Sequence, residues 1–263
     1  MNDHPMPEYR ALMTVDIEDY GSRSDAEQRV LQSAMMMSLD RAADAAKLHR
    51  ERWERQLGGD GLMAILPPGS DVLRLLDVLV RRLDAELGSY NRLREEPAWT
   101  RIRLRLAVHA GPIHRDGESG WPGQHVVLPA RLRDSKPVRA SLCARPEADL
   151  AVVISEDVYR DYVTQGPGDP RPTEFRHIRV QEKKQSYTAH LYLPGYDIHQ
   201  ITELTPYDVD EQPPPDAARP ATPATPGPPA PTGSITAGRD VFGTVSNNAS
   251  GGGSINLGGG PDR

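Results

Sequence analysis

The stretch ALMTVDIEDYG, residues 11–21, joins an apolar run to an acidic end. The run predicts a buried strand, and the acidic cluster that starts at Asp16 predicts that the strand opens into a loop. Ser24 with Glu27 three residues later has the spacing of a capping box, which marks the start of a helix. No glycine or proline interrupts residues 24–51. We therefore expect a long helix directly after the first strand.

The next segment, LGGDGLMAIL at residues 57–66, has the pattern of a hairpin. Two short apolar runs flank a turn that contains Asp60 between glycines, and Asp-Gly turns between such runs are strong hairpin signals. Apolar residues between 72 and 87 then recur at helical spacing, which predicts a second helix with arginine and aspartate on its outer face. Pro97 closes this helical region.

Residues 101–108 alternate between arginine and apolar side chains, which predicts a half-buried strand with Arg101, Arg103 and Arg105 on a solvated face. The order strand, helix, strand, strand, helix, strand is the βαββαβ arrangement of ferredoxin-like folds. We therefore predict an α+β domain with a mainly antiparallel sheet and helices on one face. Later elements are predicted as a helix at 124–134, a strand at 151–155 leading into a helix to 162, and strands at 174–180 and 186–193.

Composition indicates a globular domain with an unusual tail. Of the 25 prolines in the 263 residues, nine fall between Pro213 and Pro231. We expect a domain at 9–195, an acidic and then Pro-rich linker at 196–232, and a Gly/Ser/Asn-rich tail at 233–263 that is disordered or forms short β-turn units.

Charge and cysteine content bound the function classes. The formal net charge of −6 argues against a general nucleic-acid binder, which usually carries a basic surface. The single cysteine, Cys143, favours a reducing compartment, and no apolar stretch has the length of a membrane span. We therefore expect a cytoplasmic protein that contacts neither membrane nor nucleic acid.

Asp16 and Asp60 are the acidic residues with the most informative positions. In a ferredoxin-like sheet the first and third strands are neighbours, so the end of the first strand lies beside the hairpin turn. Two carboxylates placed in this way suit Mg²⁺, a hard cation that prefers oxygen ligands, and paired metal ions suit phosphoryl transfer. Each residue taken alone is also explained by turn or capping chemistry.

Four segments in order resemble class III nucleotidyl cyclase domains, the adenylate and guanylate cyclases. TVDIEDYGSRS resembles the segment that opens these domains, and LGGDGLMAILPP resembles their Gly-Asp-Gly hairpin. RLRLAVHAGPIHRDG resembles their strand ending in G-x-H-x-G, and GWPGQHVVLPARLRD resembles the segment G-x-x-V-N-x-A-x-R-L. The resemblance covers residues 9–194 and implies the cyclase fold.

The resemblance also implies a set of site residues. Asp16, Asp60 and the backbone carbonyl of Ile17 would hold two Mg²⁺ or Mn²⁺ ions. Arg131 matches the arginine that stabilises phosphate charge in the transition state, a role that suits the guanidinium fork. In the family this arginine faces the carboxylates of a partner chain, which implies a homodimer or pairing with a complementary cyclase-like chain.

Three positions depart from the family pattern. Val127 stands where the family has the asparagine that positions the ribose, and Gln56 and Gly120 stand where adenylate cyclases have the lysine and aspartate that read adenine. Losing the ribose-positioning amide costs several kcal/mol of transition-state binding, whereas the Gln56 amide still offers a donor and an acceptor to another base. The predicted nucleotide-binding positions are Gln56, Gly59, Gly61 and Val127.

Two functions remain open from the sequence, and a third reading concerns the tail. The first function is a homodimeric cyclase that converts a nucleoside triphosphate to a 3′,5′-cyclic nucleotide and pyrophosphate. The second is a catalytically degenerate homologue that acts as a nucleotide-binding or metal-binding, dimerising regulatory module. Asp16, Asp60 and Arg131 favour the first, and the departures favour the second. In the third reading the tail mediates assembly and the folded domain is its dimerising base.

Overall fold

The structure is a computed structural model that describes residues 6–93, 101–115, 117, 120–166, 168–182 and 185–204. Contacts between residues divide the chain into two units, Met1–Glu211 and Gln212–Arg263, and every described residue belongs to the first unit. Most of the predicted linker and the whole predicted tail lie outside the described residues.

The strands of the described region form one mixed sheet. They are β1 (Glu8–Ile17), β2 (Glu54–Leu57), β3 (Gly61–Ile65), β4 (Leu104–Ile113), β5 (Leu150–Ser155), β6 (Arg176–Glu182) and β7 (Gln185–Tyr192). Their order is β2-β3-β1-β4-β5-β7-β6, and every neighbouring pair is antiparallel except β4 with β5. The predicted α+β class and the mainly antiparallel sheet are confirmed.

The helices follow the predicted order with one addition. They are α1 (Asp25–Ala45), α2 (Val72–Arg74, a π-helical turn at Leu75–Leu79, and Val80–Arg92), α3 (Gln124–Arg133), α4 (Lys136–Ala144) and α5 (Glu156–Val158, continuing as a π-helical turn at Tyr159–Val163). The capping box of Ser24 and Glu27 is present at the start of α1, as predicted. Helix α4 was not predicted, because Ser135 and Pro137 resemble loop residues although proline is well tolerated in the first turn of a helix. No helix in these described ranges has both the length and the apolar character needed to cross a membrane.

The first core layer lies between the sheet and the two long helices. Alternate residues of β1, including Val15 and Ile17, pack in one buried cluster with Leu39 of α1 and Leu83 of α2. Because side chains alternate across a strand, the residues between them face the other side of the sheet. The two helices of the βαββαβ core therefore lie on one face, as predicted.

The second core layer covers the opposite face. Leu132 of α3 and Leu142 of α4 are buried with Ala107 of β4 and Val153 of β5 in a separate cluster. The prediction of helices on one face is therefore wrong for α3 and α4. Local periodicity identifies an apolar helix face, but which side of the sheet it covers depends on the path of the connecting loops.

The packed region also extends further along the chain than predicted. Ile198, Ile201 and Leu204 are buried in the second cluster, although residues 196–204 were assigned to the linker. The segment is mixed and acidic in composition, but these three apolar residues recur at a spacing of three. A short 3₁₀ turn at Ile198–Gln200 begins the stretch that places them in the core. The domain therefore continues at least through Leu204.

Candidate functional site

The end of β1 and the hairpin turn meet as the sequence predicts. Asp16 is the cross-strand partner of Gly61 in the β1–β3 register. The amide of Ile17 donates a hydrogen bond of 2.9 Å to the carbonyl oxygen of Asp60. The backbones of the two predicted metal ligands are therefore neighbours at one end of the central strands.

The side chain of Asp16 lies on the face that α3 covers and is bound by two arginines. Arg105, its cross-strand partner on β4, donates from Nε to Oδ1 at 3.0 Å and from Nη2 to Oδ2 at 2.5 Å. Arg133, from the last turn of α3, places its Nε 3.4 Å from Oδ2. Asp16 is 1% exposed, so water contributes little to stabilising its charge.

Burial also changes the proton affinity of this carboxyl. Desolvation raises the pKa of Asp16 to about 6, while the charges of Arg133 and Arg105 oppose the shift. Asp16 is therefore ionised at pH 7.5, where its negative charge is paired with guanidinium groups. Arrangements of this kind are costly to disrupt, because removing one partner leaves a buried charge without compensation.

Asp60 has a different environment from Asp16. Its side chain is exposed at the hairpin turn, where the amide of Gly58 donates to the carbonyl oxygen of Gly61 at 2.8 Å. Gln32 of α1 donates to the carbonyl oxygen of Gly59 and fixes the turn against the helix. The two carboxylates thus differ strongly in burial although their backbones touch.

An open cleft of about 710 Å³ lies at this end of the sheet. Its walls are lined by Ile17, Glu18, Asp19, Tyr20, Gly21, Arg23, Asp60, Arg101, Arg103, Arg105, Arg139, Cys143 and Pro146. Ile17 and Asp60, both predicted site residues, are therefore part of the lining of the cleft. It is large enough to admit a small polar ligand.

The arginines predicted on a solvated face are instead structural partners. Arg103 donates to the carbonyl oxygens of Ala148 and Arg145 at 2.9 and 3.1 Å, and pairs with Glu18 at 2.8 Å. Arg101 pairs with Asp149 at 2.8 Å. The prediction is wrong because alternation separates two faces of a strand without showing that α3 and α4 cover the second one.

Arg131 lies away from Asp16 within the chain. Its Nη1 donates to Oε1 of Gln185 at 2.8 Å and also to the hydroxyl of Tyr187, and its guanidinium lies over the Tyr187 ring at 5.8 Å from the centroid. These contacts are with β7, and β4 and β5 separate β7 from β1 in the sheet. The structure does not bring Arg131 to the carboxylates of its own chain.

Comparisons with known proteins identify the fold. No protein-family model and no curated protein matches the sequence. The structure is similar to that of a bacterial light-regulated adenylyl cyclase, with a TM-score of 0.50 and 16% identity over 77% of this chain and 57% of that chain. The chain has a divergent class III nucleotidyl cyclase-like fold.

Two further solved cyclase domains match with lower scores. The guanylyl cyclase Cya2 has a TM-score of 0.48 and 13% identity over 72% of this chain and 92% of that chain. The guanylate cyclase domain of RhGC from Catenaria anguillulae, solved in complex with GTP, has a TM-score of 0.46 and 12% identity over 71% and 97% of the respective chains.

The residues present do not fit the two-metal site that the cyclase fold implies. Both oxygens of Asp16 are engaged by guanidinium groups, and Asp60, the other predicted ligand, is exposed at the hairpin turn while Asp16 is buried. Among the described residues, no group of three or more His, Cys, Asp or Glu side chains is arranged to hold a metal ion.

The remaining predicted positions of the cyclase-like domain lie on exposed surface or in the hairpin. Gln56 is exposed on β2, where it pairs in register with Met63. Val127 is 44% exposed on α3. Gly120, at φ 129°, forms an isolated bridge with Gly117. Gly59 and Gly61 are in the turn that carries Asp60.

Sequence reasoning missed the arginine partners of Asp16 and one histidine pair. Arg105 is detectable in principle, because it lies opposite Asp16 once the β1–β4 register is known. Arg133 has no local signal, since only the packing of α3 on that face brings it to β1. His109 of the histidine pair is fully buried between Ser155 and His125, with hydrogen bonds of 2.8 Å to each.

Proposed function

We propose that the domain is a catalytically inactive nucleotidyl cyclase homologue, a regulatory module that binds a nucleoside triphosphate without cyclising it. The observation that carries the proposal is the engagement of Asp16 by Arg105 and Arg133. A carboxylate that two guanidinium groups neutralise is a poor ligand for a divalent cation, and phosphoryl transfer depends heavily on such cations.

The nucleotide-binding part of the proposal rests on the cleft and the fold. A solved domain of similar structure was crystallised with GTP. In this chain the cleft contains Arg139, an exposed cation on α4, opposite the β1–α1 loop at Tyr20. A guanidinium in such a position suits phosphate oxygens, which it contacts in a bidentate manner. Val127 and Gln56, in place of the family's ribose and base contacts, support binding with altered base preference.

The proposal includes pairing of two chains. The resemblance implies a homodimer or a complementary cyclase-like partner, in which Arg131 faces the partner's cleft. Exposed apolar side chains at Leu57 on the hairpin and Val127 on α3 support contact with another protein chain. The single cysteine, Cys143, supports a reducing compartment such as the cytoplasm.

The proposal is tested with the intact protein and ATP, GTP, CTP and UTP, each with Mg²⁺ or Mn²⁺. We expect calorimetry to detect binding of at least one triphosphate, and chromatography to detect no cyclic nucleotide. Arg139→Gln should weaken binding about tenfold, because it removes one charge-assisted contact to phosphate. Arg160→Gln is the matched control, since Arg160 is an exposed arginine on α5 outside the cleft, paired with Asp157 and Asp161.

The active enzyme is the second candidate, and the exposed Asp60 beside Asp16 favours it. A cyclic product that disappears in Asp60→Ala would establish this candidate and refute ours. Failure of all four triphosphates to bind would refute the nucleotide-binding part. Equal weakening by Arg139→Gln and Arg160→Gln would show that the binding site is not the cleft.

A further inference from the structure

Arg133 is held on several sides by oxygen atoms. Its Nη1 donates to the hydroxyl of Thr14 on β1 at 2.7 Å, while Nε and Nη2 donate to the two carboxylate oxygens of Asp134 at 3.0 and 2.9 Å. Nε also lies 3.4 Å from Oδ2 of Asp16. The guanidinium therefore sits among the kind of hard oxygen atoms that otherwise surround a bound cation.

The cluster around Arg133 is electrically balanced. Asp16 and Asp134 supply two negative charges, and Arg105 and Arg133 supply two positive charges, with Nη1 of Arg105 4.0 Å from Oδ1 of Asp134. The side chain of Asp16 is 2% exposed and that of Arg105 10% exposed, so solvent and salt screen these two charges weakly, whereas Asp134 is 40% exposed. Two guanidinium groups would repel a divalent cation that entered the cluster. The net charge of the cluster is zero, so it offers no overall attraction to offset this repulsion.

We propose that Arg133 is a built-in counter-cation that occupies the place beside Asp16 and keeps divalent cations out. Removing its charge would leave Asp16 and Asp134 with Arg105 alone, and would uncover a latent site for one divalent cation. Asp60 adds a further negative charge within electrostatic reach of Arg133. The inference deepens the proposed function and rests on its account of Asp16, but its test uses the protein without nucleotide and is independent of nucleotide binding.

Mn²⁺ alone is the probe, and the intact protein at pH 7.5 is the sample. We measure unbound Mn²⁺ by electron paramagnetic resonance for wild type, Arg133→Glu and Arg133→Met. We expect Arg133→Glu to bind one Mn²⁺ per chain at least about tenfold more tightly than wild type, because a carboxylate replaces the guanidinium among oxygen ligands. Arg133→Met, which removes the charge and retains the side-chain length, should show a smaller gain.

Arg139→Glu is the matched control, because it makes the same change of charge on the next helix, α4, and no contact of Arg139 with Asp16 is present among the described residues. An equal gain in Arg139→Glu and Arg133→Glu would overturn the proposal, since net charge alone would then explain it. So would folded Arg133→Glu and Arg133→Met proteins that both bind Mn²⁺ no better than wild type.

A measurement on the wild type alone decides the case if the variants do not fold. Mn²⁺ broadens the nuclear magnetic resonance signals of amides close to its binding site. With the intact protein we expect the amides of Ile17, Gly61 and Arg105 to be broadened no more than those of residues far from Asp16. Selective broadening of these three amides at low Mn²⁺ concentration would overturn the proposal.

Discussion

At the scale of single residues, burial sets the chemistry of the charged groups in this domain. A buried carboxylate loses hydration that is worth several kcal/mol, and only well-placed partners compensate for this loss. Asp16 obtains its compensation from Arg105 and Arg133, both from its own chain. These two contacts stabilise the buried negative charge. They also occupy the carboxylate oxygens that a metal ion would need.

His109 provides a second case, in which burial keeps the group neutral. Desolvation, together with the nearby His125, lowers the pKa of His109 to about 4, although Asp157 opposes the shift. The ring nitrogens bond to Ser155 and His125, and the rings of the two histidines are nearly parallel, with centroids 5.1 Å apart. Protonation of His109 would place a positive charge in the core, where water does not solvate it.

This low pKa predicts acid sensitivity. Below pH 6.5, His109 becomes protonated in the unfolded chain. In the folded protein its pKa is about 4, so it stays neutral until the pH falls to that value. The contribution of this residue to stability is therefore complete above pH 6.5 and falls by about 2 kcal/mol on going down to pH 5. Urea unfolding at pH 7.5 and pH 5 measures the loss in wild type and in His109→Gln, which cannot titrate.

The comparison isolates His109, because all other titrating groups are common to both proteins. Wild type should lose about 2 kcal/mol more than His109→Gln over this pH interval. An identical loss in the two proteins would mean that His109 is protonated in the folded state without cost.

At the scale of elements, the hairpin formed by β2 and β3 owes its position to one glycine. A Cβ on Gly61 would lie 2.0 Å from the carbonyl oxygen of Val15 and 2.9 Å from Cα of Asp16. Gly61 thus allows β3 to pair closely with β1. Around Gly59, in contrast, no atom lies within 4 Å of the place where a Cβ would stand.

The two glycines therefore predict different responses to the same substitution. Gly61→Ala should lower the free energy of unfolding by about 3 kcal/mol, because the backbone of β1 cannot move away without breaking the sheet. Gly59→Ala should change it by less than about 1 kcal/mol. Urea denaturation measures both, and similar losses for the two variants would contradict the close approach of β3 to β1.

The sequence was most informative about individual helices, strands and turns. The capping box at Ser24, the Gly-Asp-Gly turn around Asp60 and the alternation after Arg101 are local signals, and each predicted its element. The burial of Arg105 and the contact of Arg133 with Asp16 depend on which face α3 covers. No local pattern contains that information, so the chemically decisive contacts of the site were not predictable.

At the scale of the whole molecule, the sheet has the geometry of a cyclase-like fold, and the Asp16 carboxylate at one end of its central strands is paired with arginines of the same chain. The strand order brings Asp16 and Asp60 together through β1 and β3. Helices α3 and α4 then close the second face and deliver Arg133 to β1. The fold depends on the backbone path, whereas catalytic competence depends on a few charged side chains, so a fold alone does not establish an activity.

Manganese anomalous diffraction tests the central claim most directly. Crystals of the intact protein would be grown with Mn²⁺ and a non-hydrolysable ATP analogue, and the anomalous difference density inspected around Asp16 and Asp60. We predict no manganese peak within coordination distance of the Asp16 carboxylate, which should remain bound to Arg105 and Arg133. A peak at about 2.1 Å from an Asp16 oxygen, the distance typical of a small divalent cation, with Arg133 displaced, would contradict the account.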